Sequence, residues 1–301
     1  MKLISYRYEE ELRVGILAPD ELAVLPLEAV LPETAGLSML EVIEIFPEGL
    51  PLAAEDLEEA MAEEGILLPL AELEVTAPIE KPRHDVVCVG VNYLSHAKES
   101  TTALGKDETE EISAPEETIY FAKRVVKMTG LDAPVVNAWD VDDHLDYEVE
   151  LAVVIGKGGR AIPKEEAAEH IFGYSVFNDI SARITQQKRI QWYMGKSMDT
   201  YSCMGPVILT ADEVERPEKL EVISRVNGEE RQHSNTELLI RDVATLIEEI
   251  SSYFTLEPGD IIATGTPSGV ALGMDDPKWL VPGDVVECEI PGIGILRNPV
   301  L

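Results

Sequence analysis

The stretch LDYEVELAVVIG, residues 145 to 156, restricts the fold more than any other. Its Val, Leu and Ile content reads as a buried strand, yet it carries Glu148 and Glu150 one residue apart. Side chains alternate along a strand, so Tyr147, Val149, Leu151, Val153 and Ile155 face one way and Asp146, Glu148 and Glu150 the other. The first face is core. Like charges at neighbouring positions on one face repel, so the second face needs solvent or a cation between its carboxylates. An antiparallel strand with one wet side meets the first condition, and a metal site meets the second.

Other stretches supply the parts of such a site. FGYSVFNDISAR (172–183) reads as a strand ending at Asp179, a third carboxylate. Two Glu and one Asp form an all-oxygen donor set, which suits Mg²⁺ or Mn²⁺ and leaves positions open for a substrate's oxygens, whereas zinc prefers His or Cys. In VNYLSHAKES (91–100), His96 and Glu99 are spaced i and i+3, so a short helix puts both on one face. The carboxylate would orient the imidazole as a general base, and a surface histidine with a weak partner is the plain alternative. QWYMGKSMDT (191–200) offers Lys196, a positive charge that near a metal would meet a developing enolate or carboxylate. IIATGTPSG (261–269), with Gly265 and Thr266, is a strand entering a loop whose N–H and hydroxyl groups suit an anion; it lacks the lysine and following helix of a nucleotide loop.

Residues 1–76 read as a small α+β unit, with RVGIL and ELAVLPL as a hairpin and SMLEVIEIF and EDLEEAMAEEG as short amphipathic helices. TAPIEKPRHD (76–85) is the expected junction, and residues 77–301 form a larger, strand-dominated domain. Its clear helices are PKEEAAEHI (163–171) and residues 242–254. Strands do not alternate with long helices, so the fold class is α+β rather than doubly wound. The polar segment 98–118 is expected to be mobile, as a lid or as a surface insertion.

Charge and cysteine usage exclude several classes. With 24 Lys and Arg against 57 Asp and Glu, the formal charge is −33, which disfavours nucleic acid and anionic lipid as partners. Cys88, Cys203 and Cys288 are far apart, which argues against a zinc site and a disulfide framework. No signal-type apolar region opens the chain and no apolar run approaches the roughly 20 residues that span a bilayer, so a cytoplasmic location without membrane attachment is expected.

In this order, CVGVNYLSHAKE, LDYEVELAVVIGK, GYSVFNDISAR, QWYMGKSMDT, MGPVI, RVNGEERQ and LEPGDIIATGTPSGV resemble the blocks of the fumarylacetoacetate hydrolase superfamily, over roughly residues 80 to 300. The resemblance implies a catalytic domain of rolled mixed β-sheets with a variable amino-terminal domain, in a homodimer. It implies Glu148, Glu150 and Asp179 as Mg²⁺ or Mn²⁺ ligands, Lys196 as the pocket lysine, Thr266 with Gly265 at the substrate's carboxylate end, and His96 and Glu99 as a water-activating dyad. Two departures stand near the expected mouth of the site: YFAKRVVKM (120–128) where many members read FLKP, and Ile184 where an acid is common.

The substrate implied is a small 2-oxo acid. The expected reaction is hydrolysis of a C–C bond in an acylpyruvate-type 2,4-dioxo acid through a pyruvate enolate held by the metal. Oxaloacetate decarboxylation and isomerisation of a hydroxymuconate-type diene acid are alternatives on the same residues. A divalent-ion-binding protein without activity is the remaining one.

Overall fold

The computed structural model of the chain describes residues 1–103, 114–138 and 140–301. Residues 104–113 of the expected lid therefore lie outside the described residues. The chain opens as an antiparallel meander, β1 (Lys2–Tyr8), β2 (Glu11–Leu17) and β3 (Ala23–Pro26), followed by α1 (Met39–Ile45) and α2 (Ala54–Ala62). A capping box between Ser38 and Glu41 starts α1, and its Met39, Val42 and Ile43 are buried. Two short strands, β4 (Leu68–Pro69) and β5 (Glu74–Val75), return to the meander.

The second part begins with β6 (Val86–Gly90), α3 (Leu94–Ala103) and β7 (Ile119–Lys123). Then come β8 (Leu145–Asp146), β9 (Val149–Ile155), β10 (Ile171–Asp179) and β11 (Ser181–Ala182). The short helices α4 (Arg183–Gln187) and α5 (Tyr193–Lys196) precede β12 (Ser202–Thr210), β13 (Glu221–Val226) and β14 (Glu229–Asn235). Helix α6 (Val243–Tyr253), capped by Asp242, leads to β15 (Ile261–Ala263), β16 (Val285–Ile290) and β17 (Gly294–Pro299).

These strands make a large sheet in the order β4-β3-β2-β1-β12-β10-β9-β15-β6-β7, with β5 beside β1, and a smaller one in the order β14-β13-β16-β17. The large sheet is mixed: β15 runs parallel to β6 and antiparallel to β9. The architecture is strand-dominated α+β. Hydrogen bonding crosses the boundary expected at residues 76 and 77, because β1 pairs with β12. Among the described residues no helix is long and apolar enough to cross a membrane.

The acidic strand departs from the expected pattern in two ways. It breaks at Tyr147 and Glu148, so that β8 pairs with β11 while β9 sits in the large sheet. Side chains replace the ladder at the break: Asp146 Oδ1 accepts the Tyr147 N–H and Asn178 Oδ1 the Glu148 N–H. Nor is one face wet, since every residue of β9 is buried. Leu151, Val153 and Ile155 pack towards the small sheet, whereas Ala152 and Val154 share a core with Met39, Val42 and Ile43 of α1. A strand covered on both faces lies in low dielectric, where a solvated row of carboxylates is untenable.

One further element differs in detail. Residues 164–170 form a 3₁₀ turn, not an α-helix. Its start is tied to α6 through the Ser251 hydroxyl and Glu248 carboxylate, and the His170 carbonyl at its end accepts the Gly156 N–H, a fixed span that favours the longer rise of a 3₁₀ turn. The three cysteines are buried and unpaired.

Gln232 of β14 joins the two sheets. Its Oε1 accepts the Val149 N–H at 3.1 Å and the Ser224 hydroxyl at 2.9 Å, and its Nε2 donates to Thr266 Oγ1 at 2.7 Å and the Pro267 carbonyl at 2.8 Å. All of this is buried, so truncation strands a backbone donor and acceptor in the core. Gln232→Leu is expected to lower the free energy of unfolding by about 3 kcal/mol, read as a reduced urea midpoint at constant slope.

Candidate metal centre and active site

The ladder between β9 and β10 sets the positions of three carboxylates. Glu150 stands opposite Phe177, and the Asp179 N–H donates to the Glu148 carbonyl at 2.9 Å, so Glu148, Glu150 and Asp179 emerge on one face at the end of the strand pair. One oxygen from each lies within 4.8 Å of the others, and all three residues are buried.

Cations approach this cluster unevenly. Lys196 Nζ lies 2.8 Å from both Glu148 Oε2 and Asp179 Oδ2. Arg183 Nη1 meets Glu148 Oε1 at 2.7 Å, and its Nη2 meets Asp146 Oδ2 at 2.8 Å. Lys123 Nζ, wholly buried, donates to Asp179 Oδ1 and to the Ile180 carbonyl. Glu150 makes no ion pair among the described residues; its Oε2 accepts the Gly265 N–H at 2.8 Å. Four carboxylates, counting Asp146, thus face three cations.

Electrostatics separates the two glutamates. Burial raises the Glu148 carboxyl, but Lys196, Arg183 and His96 outweigh it and hold the group below the usual carboxylate range. Burial, Asp179 and Glu148 together push the Glu150 carboxyl well above that range. Burial lowers the Lys196 ammonium, and Asp179 and Glu148 more than restore it, so the group is held charged above its ordinary value. A hard divalent ion fits this donor set: three buried carboxylates converge, and one of them lacks a positive partner.

His96 and Glu99 are brought together. His96 and Glu99 sit on the first two turns of α3, with His96 Nδ1 3.3 Å from Glu99 Oε2. His96 is 8% exposed, which departs from the surface-histidine alternative. Thr266 donates to the Val149 carbonyl at 2.9 Å and lines the same cavity. Gly265 behaves differently from the expected substrate contact, since its N–H is committed to Glu150 and it does not line the cavity.

A cavity of about 420 Å³ opens in front of the carboxylates and is lined by His96, Glu148, Glu150, Lys196, Thr266 and Arg183. Gln186, Gln187, Arg189, Phe121 and Trp192 form much of the remaining wall. Sequence reasoning assigned no role to Lys123, Asp146, Arg183 or Arg189. Arg183 follows Asp179 by four residues, at the start of α4, and that spacing was the available signal. Lys123 ends a short strand as many exposed lysines do, and only the fold shows its burial.

Residues 85–301 match the family model described as fumarylacetoacetate (FAA) hydrolase C-terminal. The chain is 45% identical over 231 residues, 77% of its own length and 74% of the relative's, to a Bacillus subtilis (strain 168) protein named oxaloacetate tautomerase YisK. It superposes with a TM-score of 0.83 on fumarylacetoacetate hydrolase from the psychrophilic Exiguobacterium antarcticum, at 36% identity, covering 100% of this chain and 99% of that one. A maleylpyruvate hydrolase from Sphingobium sp. SYK-6, in complex with manganese(II) ion and pyruvate, gives a TM-score of 0.76 at 28% identity, covering 100% and 99% of the two chains.

The two glutamates should respond oppositely to neutralisation. Without added metal, Glu148→Gln is expected to cost about 3–5 kcal/mol by stripping Lys196 and Arg183 of a buried partner, whereas Glu150→Gln should leave stability unchanged or raised. Mn²⁺ should raise the melting temperature of the wild type and not that of Glu150→Gln. A carboxyl raised in the folded state favours folding below the unfolded value of about 4.5 and loses that contribution as pH rises through its folded value. The stability advantage of Glu150→Gln over the metal-free wild type is therefore expected to widen with increasing pH, which denaturant titrations at several pH values would read.

Proposed function

The chain belongs to the fumarylacetoacetate hydrolase family, and from that premise we propose that it is a divalent-metal-dependent enzyme that enolises a small 2-oxo dicarboxylic acid, with keto–enol tautomerisation of oxaloacetate as its reaction. The observation that carries this reading is one cavity lined by His96, Glu148, Glu150 and Lys196, with Asp179 converging on the two glutamates behind its wall and Glu99 bonded to His96. The 45% identity to a relative named oxaloacetate tautomerase supports the choice of acid.

Glu148, Glu150 and Asp179 would hold Mg²⁺ or Mn²⁺. Bound there, the ion would supply Lewis acidity to a 2-oxo acid, which makes its C3 proton easier to remove. Glu99 holds His96 through Nδ1, and the His96 imidazole, which lines the cavity, would take the C3 proton. The Lys196 ammonium lies on the carboxylate side of the cavity and faces the negative charge that collects on the oxo oxygen. Return of that proton from the His96 imidazolium to the oxygen would complete the enol and restore the neutral imidazole.

A second carboxylate on the substrate also has a counterpart. Arg189 lines the cavity, is exposed, and makes no ion pair among the described residues. In a chain of formal charge −33, an unpaired guanidinium at a pocket wall supports an anionic tail on the substrate. The homodimer expected from the sequence is part of the proposal.

Hydrolysis of a 2,4-dioxo acid is the second reading. The intact dyad favours it, since the same imidazole can activate a water towards a distal carbonyl. Enol disappearance from oxaloacetate, measured by ultraviolet absorbance with Mn²⁺ and again with EDTA, tests the first reading. Pyruvate release from oxaloacetate and from acetylpyruvate is followed in parallel. Chelator-sensitive tautomerisation, lowered roughly 10²-fold by His96→Ala, is the expected result. Chelator-sensitive pyruvate release from acetylpyruvate with no effect on the enol would replace it with the hydrolase, and release from oxaloacetate would replace it with the decarboxylase.

A further inference from the structure

The Glu99 carboxylate is shared between two partners. Oε2 lies 3.3 Å from His96 Nδ1, while Oε1 accepts the Gly269 N–H at 2.9 Å. The second contact belongs to the turn 269–273, which follows the loop that carries Gly265 and Thr266. That turn is fastened from below by the residues preceding β9. The Asp146 carboxylate accepts the Ala271 and Leu272 N–H groups at 2.8 and 3.0 Å, and the Tyr147 hydroxyl donates to the Gly269 carbonyl at 3.0 Å. Asn92 fixes the approach to α3 by bonding the Thr264 and Arg241 carbonyls and the Arg241 N–H.

The far end of the turn meets the same side chain. A Cβ placed on Gly273 would overlap Cγ, Cδ and Oε1 of Glu99. Gly273 ends a short 3₁₀ turn and is not among the glycines of positive φ, so the backbone there accepts any L-residue. The space a side chain would need at that position is filled by Glu99. The obstructed atoms are the end of a flexible side chain, so a methyl group would displace the carboxylate and leave the backbone in place.

We propose that the turn 269–273 is the seat of the Glu99 carboxylate and that Gly269 and Gly273 are positioning residues, which act through Glu99 to aim the His96 imidazole into the cavity. This rests on the reading in which His96 moves a proton. The Gly269 N–H fixes one oxygen, the bare Gly273 leaves room for the carboxylate carbons, and the second oxygen is thereby directed at Nδ1. A misplacement of about 1 Å in such an arrangement lowers turnover by up to roughly 10²-fold.

The test is a cycle of Gly273→Ala, Glu99→Ala and the double variant, each assayed as the Mn²⁺-loaded protein for oxaloacetate tautomerisation and for melting temperature. Gly273→Ala is expected to lower kcat roughly 10-fold with KM within about twofold and to retain the Mn²⁺-induced rise in melting temperature. In the Glu99→Ala background the same substitution should change kcat by less than about twofold, because its target is gone. Should Gly273→Ala lower the melting temperature, the double variant should restore it, since removing Glu99 empties the space. Full activity of Gly273→Ala, a loss that persists in the Glu99→Ala background, or a melting temperature that stays low in the double variant would each overturn the proposal. A wild type without turnover on oxaloacetate would instead count against the functional reading, and the melting-temperature cycle would still decide the contact.

Discussion

Everything in this fold is arranged around the cost of burying carboxylates. Asp146, Glu148, Glu150 and Asp179 lie within or beside the large sheet, where an unpaired charge is penalised far more heavily than on the surface. Three cations, Lys123, Arg183 and Lys196, come from three different elements to meet them. One negative charge is left over, and it falls on Glu150. A protein can meet such an imbalance with a proton or with a metal ion, and the burial and like charges that raise the Glu150 carboxyl favour either response there. The same imbalance makes the place selective for a cation.

The chemistry then divides into two layers. The carboxylates and Lys196 stand on sheet strands and a short helix packed against them, a rigid floor. The dyad stands on α3 and reaches the floor from above through the turn that Asp146 fastens. On the proposed reading, the floor would hold the enolate and the upper layer would decide what attacks or protonates it, a division that suits relatives carrying both tautomerase and hydrolase names.

The acidic triad was legible because a period of two is a strict rule: Glu148 and Glu150 had to share a face, and Asp179 ended a recognisable strand. The dyad was legible for the same reason in a helix. What covers a face is decided by distant residues, and so the wet-face alternative for β9 could not be set aside without α1 and its Met39 and Val42. The partner of a backbone N–H is equally invisible, which is why Gly265 read as a substrate contact and proved to hold Glu150. Lys123 is the clearest loss. Its strand context is ordinary, and only the pairing of β6 with β7 carries it into the core beside Asp179.

The meander at the amino terminus contributes more than a cover. Through Lys2 opposite Leu209 and Leu3 opposite Ile208, β1 occupies the free side of β12. The start of β12 is already bonded through Thr129, whose N–H meets the Ser202 carbonyl and whose carbonyl meets the Met204 N–H, so without β1 it is the apolar end at Ile208 and Leu209 that would present open N–H and C=O groups suited to pairing with another chain. The amino-terminal residues therefore serve as protection against intermolecular strand addition and aggregation, a duty independent of catalysis that ties the solubility of the reactive part to a region holding none of its chemistry.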